Sequence, residues 1–522
     1  MNIERIKNCG QYGVLADQPP QELPLNAWTD GANVRVNDGS ITNAPGHIAV
    51  YDPPTVAPYW CYPIQVAVSY FWLYAGSTKI YATDGVIHTN ITRQTTGTDV
   101  DYSMDAQHLG NGGILSGVLI ANNGEDEPQA WVGPSLGVKM QDLSVVSDWT
   151  STHRCKVMRP FKNYLIALDV TKGSARTPYK VKWNHPSDPG TVNGSWDETD
   201  ATKDAGENDL IEGGGFVIDG LPLRGNFIIY RETSTWVMRH IGGQFIFDFE
   251  ELFESAGILA PNCAVEYRAR HYVLTQGDVI MHDGHTPQSI IDLKNRRFLF
   301  NDIDSTNYKK CFLVLNQRKE EIWICYPSAG STYVNKALVH RIDDGSWAPR
   351  DLPNVSHIQG GIIDETGNTT WASDTETWNV DDSGWNQSFY NPSEIELLMA
   401  GVNDTKLYKG NSTNTENGTV RTCYVERKGM QLGDYGSVTH VNAILPKIEA
   451  TKGTQIQISV GGEMTPNEGI SWSPEYTFTV GEDDRINCRV SGRLTAIKFQ
   501  TVADVAWRLQ SYDIEYSEGG RF

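Results

Sequence analysis

The chain has 522 residues, a length that corresponds to about three or four domains, or to fewer large β domains. Its 43 Lys and Arg against 64 Asp and Glu give a net charge of −21, which excludes the basic surface that conventional nucleic-acid binders present to phosphates. The 49 Gly, 24 Pro, 15 Trp and 23 Tyr favour short strands joined by tight turns and exclude a long helical bundle.

The N-terminal sequence MNIERIKNCGQYG lacks the basic-then-apolar order of a signal peptide. The longest apolar stretch, residues 66–76, is too short to span a bilayer. We therefore expect a soluble protein that is made in a cytoplasm and does not insert into a membrane. The eight cysteines include no C-x-x-C pair, which predicts buried thiols of the kind found in reducing compartments.

In chain order, residues 1–59 are rich in Pro, Asn and Gly and predict an extended N-terminal arm with a hairpin rather than a domain. From residue 60 onward, apolar and polar residues alternate in short runs, and a helical period of 3.6 residues is almost absent. This pattern predicts an all-β protein. The runs fall into groups at 69–92, 112–123, 161–185, 225–252, 264–284 and 311–351.

Strand groups that recur roughly every 40 to 50 residues are typical of a β-propeller, in which each blade has about four antiparallel strands. Six or seven blades fit between residues 60 and 415, with insertions at 193–215 and 364–394. No WD or kelch signature recurs, and a pair of sandwiches is the alternative for the same strand count. Clean alternation over 416–522 predicts a separate antiparallel β-sandwich.

The first insertion is strongly acidic, which predicts a long solvated loop and, in a protein that conducts DNA, a candidate channel lining. Its acidic residues are Asp197, Glu198, Asp200, Asp204, Glu207, Asp209 and Glu212. The second insertion carries Trp371, Trp378 and Trp385 at equal spacing. These rings either form a ladder for stacking sugars or pin the insertion onto its own blade or onto a neighbouring subunit, and we favour a subunit interface.

The sequence contains no convincing catalytic or metal-binding motif. His282, Asp283 and His285 resemble metal ligands, but the Asp-Gly pair between them predicts a hairpin turn. Asp302, Asp304 and Asn307 resemble half of a calcium loop that lacks its glycine and distal glutamate. A Ser nucleophile elbow and a phosphate-binding Gly loop are both missing from the sequence. We therefore expect no catalytic residue, no cofactor and no metal.

Several segments resemble a known family. They are DQPPQELPLNAWTDGANVRVNDGSITNAPG near the start, SAGILAPNCAVEY at 255–267, LTQGDVIMHDG at 274–284 and the ending AWRLQSYDIEYSEGGRF. These segments are similar to the tail nozzle group of short-tailed bacteriophages, also called tail tubular protein B or packaged-DNA stabilisation protein. The resemblance covers most of the chain, in the 20–50, 179–350 and 420–522 stretches.

The resemblance implies a non-enzymatic structural protein of the virion tail, assembled in the host bacterial cytoplasm. It implies a ring of six copies below the portal and adaptor proteins that also meets tail fibres or a tip. Such a ring retains the packaged viral DNA and conducts it at ejection without sequence-specific binding. An acidic wall suits this role because it repels phosphates within a Debye length of about 8–10 Å.

Two other functional classes remain open at the level of sequence. One is a host-surface glycan-binding tail protein, in which the three tryptophans would stack on sugar rings. The other, less favoured, is a propeller glycoside hydrolase with two carboxylates facing a central funnel. Oligomeric state, polysaccharide retention and sugar release distinguish the three hypotheses.

Overall fold

A computed structural model of the chain describes residues 2–51, 54–66, 69–103, 110–243, 245–363, 395–434, 436–466 and 468–521. These residues form 41 β-strands, named β1 to β41 in chain order, and two short helices, α1 (Leu143–Val146) and α2 (Arg296–Asp302). Single 3₁₀ turns lie at Tyr308–Lys310 and Gln317–Lys319. Neither described helix is long or apolar enough to cross a membrane. The all-β fold class predicted from the sequence is confirmed.

The N-terminal segment contributes five strands to the body of the chain. They are β1 (Asn2–Lys7), β2 (Asp30–Ala32), β3 (Val34–Asn37), β4 (Ser40–Asn43) and β5 (His47–Val50). The hairpin expected in this segment is β3–β4, and Asp38 and Gly39 both adopt positive φ at its turn. Instead of extending away as an arm, the segment pairs with distant strands, because side chains such as Ile6 and Trp28 are buried in the core.

Between residues 60 and 289 the described chain forms five four-stranded antiparallel sheets, each from consecutive strands. The first sheet has β6 (Trp60–Val66), β7 (Ser69–Ala75), β8 (Ile80–Thr83) and β9 (His88–Asn90), and the second has β12 (Asn111–Leu115), β13 (Val118–Asn122), β14 (Gln129–Trp131) and β15 (Gln141–Asp142). The third has β16 (His153–Phe161), β17 (Tyr164–Lys172), β18 (Ala175–Trp183) and β19 (Gly206–Asp209), and the fourth has β20 (Val217–Leu223), β21 (Asn226–Arg231), β22 (Thr235–His240) and β23 (Phe247–Phe253). The fifth has β24 (Ala264–Tyr267), β25 (Arg270–Leu274), β26 (Val279–His282) and β27 (Gln288–Ser289). A small ribbon, β10 (Gln94–Thr95) with β11 (Thr98–Asp99), follows the first sheet.

A seven-stranded antiparallel sheet comes next. Its strands, in spatial order, are β28 (Phe312–Asn316), β29 (Glu321–Tyr326), β30 (Val334–Arg341), β31 (Trp347–Ile362), β32 (Ile395–Gly401), β33 (Lys406–Gly410) and β5. β31 pairs with its two neighbouring strands through different parts of its length. The part before Val355 pairs with β30, and the part after Val355 pairs with β32. The register shifts at this point and Asn354 adopts a φ of 51°, so the strand changes direction there.

The first strands of successive sheets pack side by side. β12 packs on β16, β16 on β20, β20 on β24 and β24 on β28, whereas β31 packs on both β28 and β6. Apolar clusters fill the space between neighbouring sheets. One of them joins Trp60 and Leu73 of the first sheet to Leu119 and Trp131 of the second. The burial of these large side chains is the main stabilising contribution between the sheets.

The C-terminal strands build two six-stranded antiparallel sheets with help from the N-terminus. The strands are β34 (Cys423–Met430), β35 (Ser437–Ala450), β36 (Gln455–Glu463), β37 (Ser471–Trp472), β38 (Tyr476–Thr479), β39 (Ile486–Gly492), β40 (Leu494–Thr501) and β41 (Trp507–Arg521). One sheet has the order β3-β4-β41-β35-β39 with β1 on β41, and the other has the order β2-β34-β40-β36-β37 with β38 on β36. Both sheets contribute to one apolar cluster that includes Ile41, Val441, Ile458 and Phe499.

The structure describes the first predicted insertion but not the second. The insertion at 193–215 is not the fully solvated loop that its acidity predicted, because residues 206–209 form β19 and pair with β18. Trp196, which precedes β19 in the chain, and Leu210, which follows it, are both buried. The second insertion, with Trp371, Trp378 and Trp385, lies outside the described residues, so its predicted role stays a prediction.

The eight cysteines are buried free thiols in the structure, as the sequence predicted. Burial raises the pKa of the Cys9 thiol to about 12 and that of Cys488 to about 11. Thiols with such pKa values remain protonated at neutral pH, so these cysteines act as small apolar side chains.

Candidate functional site

A charged cluster lies where the first strands of four consecutive sheets approach each other. Arg159 in β16 donates to Asp219 in β20 through Nε–Oδ1 and Nη2–Oδ2 hydrogen bonds of 2.9 and 2.8 Å. Asn262, just before β24, donates its backbone N–H to Asp219 Oδ2 at 2.8 Å and accepts from Arg159 Nη2 at 2.7 Å. Arg159 Nη1 also donates to the carbonyl of Gly112 in β12 at 3.2 Å. This Arg159–Asp219 cluster therefore ties four sheets together.

The cluster is a buried and well-satisfied ion pair. Asp219 is fully buried and the Arg159 side chain is 14% exposed. Burial alone would lower the pKa of Arg159, but the charge of Asp219 and its hydrogen bonds outweigh burial and raise it. The pKa of His357 in β31 falls to about 3, first through burial and then through the charge of Arg159. Both Asp219 oxygens are engaged, so the arrangement suits structure rather than proton transfer.

A cleft of about 820 Å³ opens at the end where the first strands begin. Its walls come from β16, β20 and the segments that precede β24 and β28. Three cationic and three carboxylate side chains line it, namely Lys156, Arg176, Lys309, Glu125, Asp169 and Glu232. Apolar lining comes from residues that include Phe216, Leu259, Pro261 and Phe300. The cleft thus combines balanced charge with an apolar surface.

Each of the three cleft carboxylates meets a hydrogen-bond donor. Lys156 Nζ lies 2.6 Å from Glu125 Oε1. Arg176 donates to Asp169 through Nε–Oδ1 at 2.9 Å and through a second bond from Nη2 to Oδ2. Glu232 Oε2 accepts the backbone N–H of Phe216 at 3.2 Å. The lining therefore presents donor and acceptor groups in neighbouring pairs.

Three of the seven acidic residues singled out in the first insertion form ion pairs with lysines of β17 and β18. Glu198 accepts hydrogen bonds from Lys172 (2.8 Å) and Lys182. Glu207 lies 2.7 Å from Lys172 and 2.8 Å from Lys180, and Asp209 lies 2.8 Å from Lys180. These contacts form a lysine ladder, which we define as Lys172, Lys180 and Lys182 with Glu198, Glu207 and Asp209.

The ladder explains why the insertion folds back. Burial alone would raise the pKa of Glu198, but the hydrogen bonds from Lys172 and Lys182 outweigh burial and lower it to about 2. Sequence reasoning missed this interaction, although a signal was present. Lys180 and Lys182 are two residues apart in a strand and therefore lie on the same face, where they can meet the acids that follow.

The other four acidic residues have local roles. Asp197 Oδ1 and Asp200 Oδ1 each accept a backbone N–H, from Thr199 and Thr202 respectively, at 2.9 Å. The other two accept through backbone carbonyls: Asp204 from Trp183 Nε1 at 2.8 Å, and Glu212 from Arg231 Nη1. The structure therefore divides the seven acids into three that pair with lysines, two that shape turns and two whose backbone carbonyls bind side chains of neighbouring strands.

The residues that resembled metal ligands serve the local structure. His282 is buried and accepts the backbone N–H of Gly284 at Nδ1, whereas Asp283 accepts the N–H of His285 at 3.2 Å and lies 3.6 Å from Arg224. Asp304 Oδ1 accepts the N–H groups of Thr306 and Asn307. Within the part of the chain that the structure describes, no group of three or more His, Cys, Asp or Glu could hold a metal ion.

No protein family model matches the chain, and no curated protein does. Among solved structures, the chain is similar to PorZ, a surface component of the type-IX secretion system of Porphyromonas gingivalis, with 9% identity over 84% of this chain and 56% of that one, at a TM-score of 0.36. An extracellular domain from B. thetaiotaomicron gives 9% identity, coverages of 90% and 62%, and a TM-score of 0.42. An exo-β-1,3-galactanase from Phanerochaete chrysosporium gives 8% identity, coverages of 90% and 100%, and a TM-score of 0.25. Likeness at this level assigns no function.

Proposed function

We propose that the chain is a non-enzymatic structural protein of a virion, the tail nozzle of a short-tailed bacteriophage. In this role six copies form a ring below the portal and adaptor proteins and contact tail fibres or a tip. The ring retains packaged viral DNA and conducts it at ejection without reading its sequence. Assembly takes place in the cytoplasm of the host bacterium.

The observation that carries the proposal is the position of the N-terminal segment, which contains one of the stretches that resemble the nozzle family. Its strands add to three different sheets: β2 and the β3–β4 hairpin to the two C-terminal sheets, and β5 to the seven-stranded sheet. Arg35 in β3 forms a 2.6 Å ion pair with buried Glu321 in β29, and Asn33 donates to Asp351 at 2.8 Å. One segment of the family resemblance therefore lies where the C-terminal sheets meet the seven-stranded sheet, which makes the chain a single unit suited to assembly.

The proposed fold is a seven-bladed β-propeller joined to a β-sandwich. The five four-stranded sheets are the first five blades, and β31 divides the seven-stranded sheet at Val355 into two further blades of four strands. β5 is then the outermost strand of the last blade and links the two ends of the circle. Packing of β31 against both β28 and β6 supports this closure.

In such a propeller the Arg159–Asp219 cluster occupies the centre, so DNA would have no path along the axis of one subunit. We therefore place the DNA channel on the axis of the ring, between subunits. The acidic residues that the lysine ladder does not neutralise are the remaining candidates for its lining, namely Asp197, Asp200, Asp204 and Glu212. Carboxylates at the lumen would repel phosphates and keep the DNA mobile.

The absence of catalysis is part of the proposal. A propeller glycoside hydrolase needs one carboxylic acid and one carboxylate at a defined separation across a bound sugar. In the cleft, Glu125 and Asp169 each form an ion pair with a cationic side chain, and Glu232 accepts a backbone N–H. These partners favour a binding or structural role for the carboxylates.

The decisive experiment is the mass and shape of the purified protein. Light scattering is expected to give six times the 58.1 kDa protomer mass, and negative-stain micrographs are expected to show rings that bind purified portal and adaptor rings. A monomer or trimer that binds neither ring would overturn the proposal. Retention of polysaccharide by such a monomer or trimer would favour a host-surface binder, and release of reducing sugar would favour the hydrolase.

A further inference from the structure

We infer that the cleft at the start of the first strands binds a short, uncharged oligosaccharide. The cleft is large enough, because its volume of about 820 Å³ falls in the range of roughly 300–1,000 Å³ that is usual for small-molecule sites. This inference goes beyond the nozzle role and does not depend on it, since it concerns a surface of the single subunit.

The charge of the cleft argues for an uncharged ligand. The whole chain carries −21, yet the cleft brings together three cationic and three carboxylate side chains. A polyanion would meet Glu125, Asp169 and Glu232, and a polycation would meet Lys156, Arg176 and Lys309. Neither class of ligand gains net electrostatic attraction from such a balanced lining.

The paired donors and acceptors match the hydroxyl groups of a sugar. Each sugar hydroxyl can both donate and accept, and neighbouring hydroxyls of a ring lie side by side. Lys156 with Glu125, at 2.6 Å, offers a donor beside an acceptor, and Arg176 with Asp169 does the same at 2.9 Å. Hydrogen bonds to such charged groups are stronger than those between neutral groups.

The apolar wall supplies the second element of sugar recognition. Phe216 is 44% exposed, and the guanidinium of Arg176 lies 5.3 Å from its ring centroid, which holds the ring beside the polar pairs. The C–H face of a pyranose packs on such a ring while its hydroxyls reach the ion pairs. Leu259 and Pro261 extend the same lining.

The test is saturation-transfer NMR followed by calorimetry with maltotriose, cellotriose, chitotriose, mannotriose and lactose. At least one of these probes is expected to bind, and Glu125→Gln and Phe216→Ala are each expected to weaken that binding about fivefold or more, the loss typical of one good contact. The matched controls are Glu250→Gln, which removes an exposed carboxylate paired with Arg239, and Phe245→Ala, which removes a 72% exposed ring elsewhere. Both controls are expected to leave binding unchanged.

Three results would overturn the inference. The first is the absence of binding by all five probes. The second is binding that Glu125→Gln and Phe216→Ala leave intact although urea unfolding shows that both variants are folded. The third is a preference for sialyllactose or for a short mixed-charge peptide over the neutral sugars, which would assign the cleft to another class of ligand. Because ring mass is measured separately, failure here leaves the nozzle proposal to its own test.

Discussion

The hydroxyl of Tyr230 in β21 lies 2.6 Å from Nδ1 of His271 in β25, so a buried hydrogen bond joins two neighbouring sheets. The same hydroxyl lies 2.7 Å from Nε2 of His282. His271 Nε2 is 2.8 Å from the carbonyl of Pro222, which can only accept, and His282 Nδ1 accepts the N–H of Gly284. These end partners fix both tautomers: His282 donates to Tyr230, and Tyr230 donates to His271.

Removal of the Tyr230 hydroxyl breaks this chain at its centre. In Tyr230→Phe, His271 Nδ1 and His282 Nε2 both lose their partner inside an apolar cluster. Each unpaired buried group costs about 1–3 kcal/mol, so we expect a clear loss in the free energy of unfolding measured with urea. Tyr12→Phe, at a tyrosine that is 38% exposed, is the control and should change stability little. Equal stability of both variants would contradict the assigned chain.

Buried neutral histidines predict a loss of stability in mild acid. Burial is the first cause that lowers the pKa of His47 and His271 to about 4 and that of His282, His340 and His357 to about 3. The unfolded chain takes up protons near its ordinary histidine pKa of about 6.5, whereas the folded chain does not. Stability is therefore full above that pH and falls as the pH drops toward 4, by up to about 1.4 kcal/mol per pH unit for each histidine.

Urea midpoints between pH 7.5 and 5 measure this dependence. His357→Leu removes one titrating group and should make the slope shallower. Stability that rises between pH 6.5 and 5 would contradict the predicted sign.

Local patterns were enough to predict the all-β class and the strand groups, because alternation with period two is written in neighbouring residues. Pairings between distant segments carry no such local signal. β5 pairs with β33, more than 350 positions later, and the apolar run of β5 does not indicate its partner. The Arg159–Asp219 cluster could not be predicted for the same reason, because its two residues are 60 positions apart in the sequence.

The lysine ladder predicts that Lys182 holds the first insertion against its sheet. The Lys182 side chain is 2% exposed and pairs with Glu198, so Lys182→Met should free this part of the insertion and raise its rate of cleavage by thermolysin several-fold. Lys203→Met changes a lysine of the same insertion that is exposed, and it should leave the rate unchanged. Equal cleavage of both variants would show that Trp196 and Leu210 hold the insertion without the ladder.

The tryptophans of the second insertion are predicted to lie at a subunit interface. Replacement of Trp371, Trp378 and Trp385 together by Ala should weaken ring assembly, seen as a lower mass by light scattering, while the monomer remains folded. Trp472→Ala, at a ring that is 37% exposed in a C-terminal sheet, controls for loss of an exposed indole. Normal particles with filled heads and normal infection by the triple variant would count against the interface role.

The Arg159–Asp219 pair predicts strong coupling between the first strands. Asp219→Asn leaves the guanidinium buried without its counter-charge, and Arg159→Met does the same to the carboxylate, so each should cost about 3–5 kcal/mol in the free energy of unfolding. Arg159→Met combined with Asp219→Asn removes both charges and should cost clearly less than the sum of the single changes. Additive costs in this double-mutant cycle would mean that the two groups act independently. The cluster would then not be what ties the four sheets together, and their association would rest on the apolar clusters between them.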